Sequence, residues 1–262
     1  MMMVVKKLFG LALAFGLVGC GSQNDIHNSD IKITNGIAAS QKDFPAVVKL
    51  SLYSGWSGGI CTGTWVNDHQ VITAAHCVYS KPRVSVGNIR AINYQIQDGY
   101  DMKTNGGVNE LDLAIVNFPA GSAPAVRQII RNTPAKGAAA KIVGFGNNVI
   151  AKSSSGGITG SGAGRLRYGD NILSEMSNNM LQIVGVPKAN YDVEGKRVDL
   201  GELASTGSGD SGGPIFVNGR LAGVTSGGGV GETAEGLVLA VGLFTDLNSP
   251  ESQAFLDEHL DR

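Results

Sequence analysis

A chain of 262 residues, 42% of them hydrophobic, can bury a core of ordinary size, in one large domain or two small lobes, and is not a disordered tail. The formal net charge is -1 with no long run of like charge, which argues against nucleic acid or an anionic membrane surface as a partner. Glycine is used 38 times, about twice its ordinary share, so many tight turns between short strands are expected and the reading begins as all-β.

At the start, Lys6 and Lys7 precede an apolar run over residues 8–18, too short for a bilayer of roughly 30 Å, and residues 1–19 read as a cleaved export signal. The run closes Leu17-Val18-Gly19-Cys20, which resembles the lipobox of bacterial lipoproteins, where the cysteine is lipidated and becomes the first mature residue. The alternative is an ordinary signal that happens to end near a cysteine. Three cysteines occur, and if Cys61 and Cys77 pair in an oxidising compartment, Cys20 is the odd one left for a lipid. Residues 20–32 are polar and without hydrophobic periodicity, a tether or propeptide ahead of a globular domain over 33–262.

From Ile33, short β-type runs recur at 46–53, 62–66, 71–73, 91–96 and 111–118, a first lobe over about 33–125. A loop with Pro119, Pro124 and Pro134 intervenes, and further runs at 141–145, 181–186, 215–224 and 237–244 make a second lobe over about 135–248. Within the second lobe, the Ser/Gly-rich stretch 153–164 reads as a surface loop. Ser249 can cap a helix over about 250–260 with Pro250 in its first turn and Phe255, Leu256 and Leu260 on one apolar face, packing on the second lobe.

Three segments carry chemistry. In Gly209-Asp210-Ser211-Gly212-Gly213-Pro214 the glycines let backbone N–H groups crowd around one hydroxyl, and the amides of Gly209 and Ser211 are candidates for an oxyanion hole worth roughly 3 kcal/mol each to a tetrahedral intermediate. A hydroxyl needs a base, and a chance serine in a tight turn is the plainer explanation of this motif alone. His76, in Thr73-Ala74-Ala75-His76-Cys77, is the candidate base; a structural histidine beside a structural disulfide is the alternative. Asp112 lies in Leu111-Asp112-Leu113-Ala114-Ile115-Val116, where an unpaired carboxylate is costly to bury, so either the imidazole is its partner or it faces solvent on an edge strand.

Together these segments resemble the trypsin and chymotrypsin family, from Ile33 to the C-terminal helix and in the chain order His, Asp, Ser. Ile33-Thr34-Asn35-Gly36 is similar to that family's mature N-terminus, Cys61 and Cys77 to its histidine-loop disulfide, and Gly144-Phe145-Gly146 to a second-lobe strand. The resemblance implies two packed six-stranded antiparallel β-barrels with a C-terminal α-helix, and a serine endopeptidase acting on protein or peptide substrates through His76, Asp112 and Ser211. It further implies that Ser226 hydrogen-bonds Asp112 and that residues 226–228 (Ser226, Gly227 and Gly228) pair with substrate backbone. The specificity pocket would have Ser205 as its floor, Thr206 beside it, and Gly228 and Gly236 in its walls, a neutral site suited to bulky apolar side chains. An activating protease would cut after Lys32, and the freed Ile33 amino group would pair with Asp210; the precursor is then a zymogen held at the bacterial envelope by a lipid on Cys20 and released on cleavage. A monomer without cofactor is expected, and no metal is indicated, since residues 86–101 lack the paired glutamates of the family's calcium loop.

The sequence departs from the family in two places: Gly227 stands where members usually carry tryptophan, and no cysteines flank Ser211. Two rivals are distinguishable. Gly209-Asp210-Ser211-Gly212-Gly213 also fits the G-x-S-x-G elbow of α/β-hydrolases, but that elbow leads into a helix, whereas residues 214–217 run into Asn218-Gly219 as a hairpin would. The other is a catalytically inactive, membrane-tethered binding module that kept the protease fold.

Overall fold

The computed structural model describes residues 36–55, 57–147, 149–152, 158–185, 192–193, 196–197, 203–232 and 238–261. The expected signal, Cys20, Lys32, Ile33 and Gly236 lie outside the described residues, as does part of the Ser/Gly-rich stretch. In the first half are β1 (Ile37–Ala38), β2 (Val47–Ser54), β3 (Ser57–Trp65), β4 (Gln70–Thr73), helix α1 (Ala75–Val78), β5 (Arg83–Val86), β6 (Ile89–Arg90), β7 (Asn93–Ile96) and β8 (Ala114–Asn117). The second half holds β9 (Ala139–Gly144), β10 (Val149–Lys152), β11 (Ile158–Ser161), β12 (Arg167–Ser177), β13 (Met180–Gly185), β14 (Asp192–Val193), β15 (Lys196–Arg197), β16 (Pro214–Val217), β17 (Arg220–Glu232), β18 (Val238–Asp246) and helix α2 (Pro250–His259).

Among the described residues the pairings between strands are antiparallel, and apart from the separate hairpins β10–β11 and β14–β15 they gather into two barrels, with a C-terminal helix, as expected. The second barrel closes in the order β9-β12-β13-β18-β17-β16, with β16 returning to β9 and the short β1 laid against β12. In the first, β6 and β7 are two halves of one bent strand: Ala91 N donates to Val84 O at 2.9 Å on one side, and Ile92 N donates to Asn117 O at 2.7 Å on the other. That bend joins β5 to β8 and completes six strands, β2-β3-β4-β8-(β7, β6)-β5.

Successive side chains on a strand face opposite ways. Where the barrels meet, both faces must therefore be apolar. Val71 of β4 and Val116 of β8 point into the first barrel, while their neighbours Ile72 and Ile115 point to the other side. On β16, Ile215 and Val217 fill the second barrel and Phe216 faces out of it. Ile72, Ile115 and Phe216 meet in one cluster with Val47, Leu113, Val224 and the helix residues Phe255 and Leu256. The C-terminal helix thus packs on the seam between the barrels as well as on the second barrel. Ser249 caps it, its Oγ accepting from Ser252 N at 3.1 Å, with Pro250 in the first turn.

Two hairpins show how turn chemistry sets register. Asn218 and Gly219 adopt φ of 51° and 73° between β16 and β17, the two-residue turn whose twist matches the strands. Asn178 and Asn179, at φ of 50° and 58°, make a similar turn between β12 and β13, which the sequence reading did not identify. Nor did it find β12, because this strand's inward positions, Arg167, Gly169, Asn171 and Leu173, are mostly not apolar.

Beyond the helix, the chain end is tied to the β3–β4 turn. His69 bonds Asp68 Oδ1 through Nδ1 at 2.5 Å and Asp261 Oδ2 through Nε2 at 2.9 Å. Hydrogen bonds and charge from the two carboxylates, Asp68 first, raise the His69 pKa above its ordinary 6.5 against a smaller opposing effect of burial. A raised histidine pKa contributes stability that is fully present below pH 6.5 and is lost as pH rises through the folded-state value. Urea unfolding across that window is expected to show the wild-type midpoint falling with pH, and His69→Gln to flatten the fall. An unchanged slope in the variant would contradict the clasp.

Candidate active site

His76 sits in the single turn of α1, directly after β4, and the Cys61–Cys77 disulfide ties that turn to β3 across a separation of 16 residues. A cross-link closing a loop of this size is worth about 3 kcal/mol by chain entropy. Together, Cys61, His76 and Cys77 bring three ligand-type atoms within 4.8 Å, but both sulfurs are spent in the disulfide.

Asp112 lies two residues before β8 rather than inside a strand as the sequence reading had it, and its carboxylate is fully buried. It is satisfied from three directions. Oδ1 accepts from His76 N at 2.9 Å, while Oδ2 contacts His76 Nδ1 at 2.8 Å and accepts from Ser226 Oγ at 2.6 Å. The Nδ1 contact fixes the tautomer: with Nδ1 protonated toward the carboxylate, Nε2 is left as the basic nitrogen. The imidazole is one-fifth exposed, and the contact of Nε2 among the described residues is a long one, 3.8 Å to Cys77 Sγ.

The 207–213 loop is pressed against the first barrel. Thr62 of β3 binds it twice, its N–H donating to Ser211 O at 2.8 Å and its Oγ1 to Gly209 O at 3.0 Å. Gly212, at φ 74°, comes so near Thr73 and Ala74 that a Cβ would strike Thr73 Oγ1. Ser211 is therefore held beside the segment that carries His76. Among the described residues no hydrogen bond joins Ser211 Oγ to the His76 ring, and such catalytic contacts are commonly long before substrate binds.

Two amides in this loop point away from everything that binds the loop. The Ser208 carbonyl accepts from Asn147 N at 2.7 Å, and in a trans peptide the following Gly209 N–H must point the opposite way. By the same argument Asp210 O, accepting from Gly213 N at 2.7 Å, turns the Ser211 N–H outward. Gly209 adopts φ 97°, a conformation costly for any side-chain-bearing residue. Neither N–H has a partner among the described residues.

Asp210 itself turns inward. Its Oδ1 accepts from Gly146 N at 2.7 Å and its Oδ2 from Gly207 N at 2.8 Å. Burial pushes its pKa up to about 6, with the two amide hydrogen bonds and the nearby Arg167 guanidinium pulling the other way.

Of the remaining expected residues, Ser205 is buried next to Gly185 of β13, and Thr206 Oγ1 lies close to Gly228 on β17 and Gly242 on β18. Ser205, Thr206 and Gly228 are thus brought together. Ser226, Gly227 and Gly228 lie on β17, which is paired with β16 as far as Val224 and bonded through Thr225 to Gly212 and Gly213. Among the described residues, the 226–228 segment pairs with β18 alone. Over Gly227 lies Val108, whose Cγ2 fills the space a Cβ there would need. The sequence reading missed Thr62, Val108 and Arg167. Only Thr62 had a signal, its place beside Cys61.

Comparison with known proteins bears on the family and the fold. The family model described as Trypsin matches residues 33–249. Trypsin beta of Drosophila erecta is 26% identical over 238 residues, 82% of this chain and 85% of that protein. The trypsin of Sus scrofa is 29% identical over 223 residues, 76% of this chain and 85% of its own length. Among solved structures, neuropsin, described as a serine protease expressed in the limbic system of mouse brain, is similar in fold at a TM-score of 0.59 and 19% identity, covering 86% of this chain and 99% of that one.

The glycine at 144 offers a test of the Asp210 socket, because a Cβ there would run into the Asp210 carboxylate. Gly144→Ala is expected to cost about 1–3 kcal/mol of stability, measured by urea unfolding. An unaltered midpoint would mean that the carboxylate does not occupy this socket.

Proposed function

Since this chain belongs to the trypsin family of serine proteases, we propose that it is an active serine endopeptidase with His76, Asp112 and Ser211 as its catalytic triad. The observation that carries this reading is the buried Asp112 carboxylate bonded to both His76 N and His76 Nδ1, near a loop in which the amides of Gly209 and Ser211 have no partner among the described residues. In the proposed reaction His76 Nε2 takes the Ser211 proton as Oγ attacks the peptide carbonyl carbon, and Asp112 stabilises the imidazolium. The amides of Gly209 and Ser211 receive the developing oxyanion, each worth about 3 kcal/mol in the transition state. His76 then gives its proton to the leaving amine, and water attacks the acyl-enzyme by the same route in reverse.

Ser211→Ala is expected to lower turnover about a millionfold while leaving the unfolding midpoint near wild type. Activity within about tenfold of wild type would remove Ser211 from its role and favour a protease-fold binding module.

Specificity is proposed from the neutral pocket of Ser205, Thr206, Gly228 and Gly236. A lysine or arginine side chain would there meet a hydroxyl instead of a carboxylate, an unfavourable exchange for a buried cation. Thr225, in place of the histidine of glutamate-specific members, disfavours acidic residues as well. In a matched peptide series, cleavage after Phe, Tyr or Leu is expected to exceed cleavage after Arg, and the reverse order would overturn the assignment.

Export by the signal at residues 1–19, a lipid on Cys20 and cleavage after Lys32 by another protease complete the proposal. Cleavage frees the Ile33 amino group to pair with Asp210 and, with no cysteine left to tether residues 20–32, releases the domain from the membrane.

A further inference from the structure

Between helix α2 and the segment 127–131, which belongs to the connection between the barrels, lies a cleft of about 610 Å³, well inside the roughly 300–1,000 Å³ of clefts that hold a ligand. No residue lining it belongs to the proposed triad, to the 207–213 loop or to 226–228. Its floor is apolar: Leu256 is part of the cluster at the seam between the barrels, and Val66, Ile129 and Leu260 pack against that cluster. Around the floor stand Arg127, Arg131 and Arg220, with Asp257 as the single carboxylate among the described lining residues. A chain of net charge -1 thus gathers three cations against one anion in one place. None of the three arginines forms an ion pair among the described residues. Arg131 and Arg220 are exposed, and Arg127 lies over the Phe216 ring, 5.9 Å from its centroid.

The backbone beside the cleft offers a second means of recognition. Residues 128–130 run parallel to the start of β17, with Leu221 N donating to Gln128 O and Ile130 N to Leu221 O, both at 2.9 Å. In an extended segment alternate residues turn their backbone groups to opposite edges, so Arg127, Ile129 and Arg131 serve the edge away from β17. Arg127 N closes the start of that edge by donating to Trp65 O at 2.9 Å, but Trp65 is the last residue of β3. Past it, the amides and carbonyls of Ile129 and Arg131 have no partner among the described residues. An open edge beside an apolar floor suits an extended peptide, and a rim of arginines without ion pairs selects one that carries carboxylates.

We propose that this cleft is a docking site for an extended acidic segment of a partner protein, with apolar side chains set between its carboxylates. The carboxylates meet Arg127, Arg131 and Arg220, the apolar side chains cover the floor, and the backbone pairs with Ile129 and Arg131. No group of the proposed triad lines the cleft, so the occupant is held there and not cut. The inference goes beyond the serine-protease reading and does not depend on it.

The test titrates a fluorescent heptapeptide of alternating Asp or Glu and Leu into the full-length Ser211→Ala protein, followed by anisotropy. One control peptide carries Lys for the acids and another Ser for the leucines. The acidic-apolar peptide is expected to bind at least about tenfold more tightly than either control. Reversing two exposed charges together, Arg131→Glu with Arg220→Glu, is expected to weaken it about tenfold or more, with Arg131→Gln and Arg220→Gln together giving a smaller loss. With Ser211 restored, the charge-reversed protein should hydrolyse a small peptide substrate within about twofold of wild type, showing that its fold and cleft are intact. Equal binding of the acidic and Lys peptides, an affinity unchanged by both pairs of substitutions, or no binding at all would overturn the inference. So would heparin displacing the peptide while the Ser control binds as tightly as the Leu peptide, which would mark a plain polyanion patch. If wild type hydrolyses no peptide substrate, the serine-protease reading falls, and the binding results still decide the docking site.

Discussion

Removing a carboxylate from water is the demand around which the two barrels are joined. Each unpaired buried charge would cost several kcal/mol, and Asp112 and Asp210 are both buried. Asp112, from the first barrel, takes two hydrogen bonds from its own side through His76 and a third from Ser226 on β17 of the second. Asp210, from the second barrel, is held by amides of that barrel, but its loop is fixed to the first by Thr62. Satisfying the carboxylates and aligning the barrels are therefore one event. Misalignment would strand a charge, which couples the fold's stability to the geometry of the site.

Strand chemistry supports this join from below. Strands at the seam are apolar on both faces, so that alternate residues fill a barrel and the cluster between barrels at once. Helix α2 closes the seam with Phe255 and Leu256, and the His69 clasp ties its end to the first barrel. Where the site needs backbone rather than side chain, glycine supplies it: Gly209 at φ 97° frees an amide, and Gly144 and Gly146 leave room for the Asp210 carboxylate. Beyond Thr225, β17 has one strand partner, β18, among the described residues, the edge onto which the proposed substrate peptide would add.

Much of this is legible in the sequence because short motifs carry their own physics. Asn218-Gly219 reads as a hairpin turn and forms one, and Ser249-Pro250 reads as a helix start and forms one. The segments around His76, Asp112 and Ser211 were found as separate motifs, and the fold brings His76 onto Asp112 and the Ser211 loop against them. Periodicity failed where inward positions are polar. Along β12, Arg167 and Asn171 point inward to bind carbonyls, so no apolar alternation marks the strand. The role of Thr62 was hidden for another reason: its partner Gly209 is 147 residues away, a distance that no local pattern reports. Arg167 likewise reaches the Gly146 carbonyl only once β9 and β12 have paired.

The proposed reaction makes one chemical claim above the others: that the Asp112–His76 pair activates Ser211 as the nucleophile, with the Gly209 and Ser211 amides, unpartnered among the described residues, receiving the oxyanion. Its most direct test is to trap the acyl-enzyme with a slowly hydrolysed ester and locate the added mass by peptide mapping. The account predicts one acyl group per molecule, on Ser211, and none when His76 is replaced by alanine. Acylation at another residue, or equal acylation of Ser211 without His76, would contradict it.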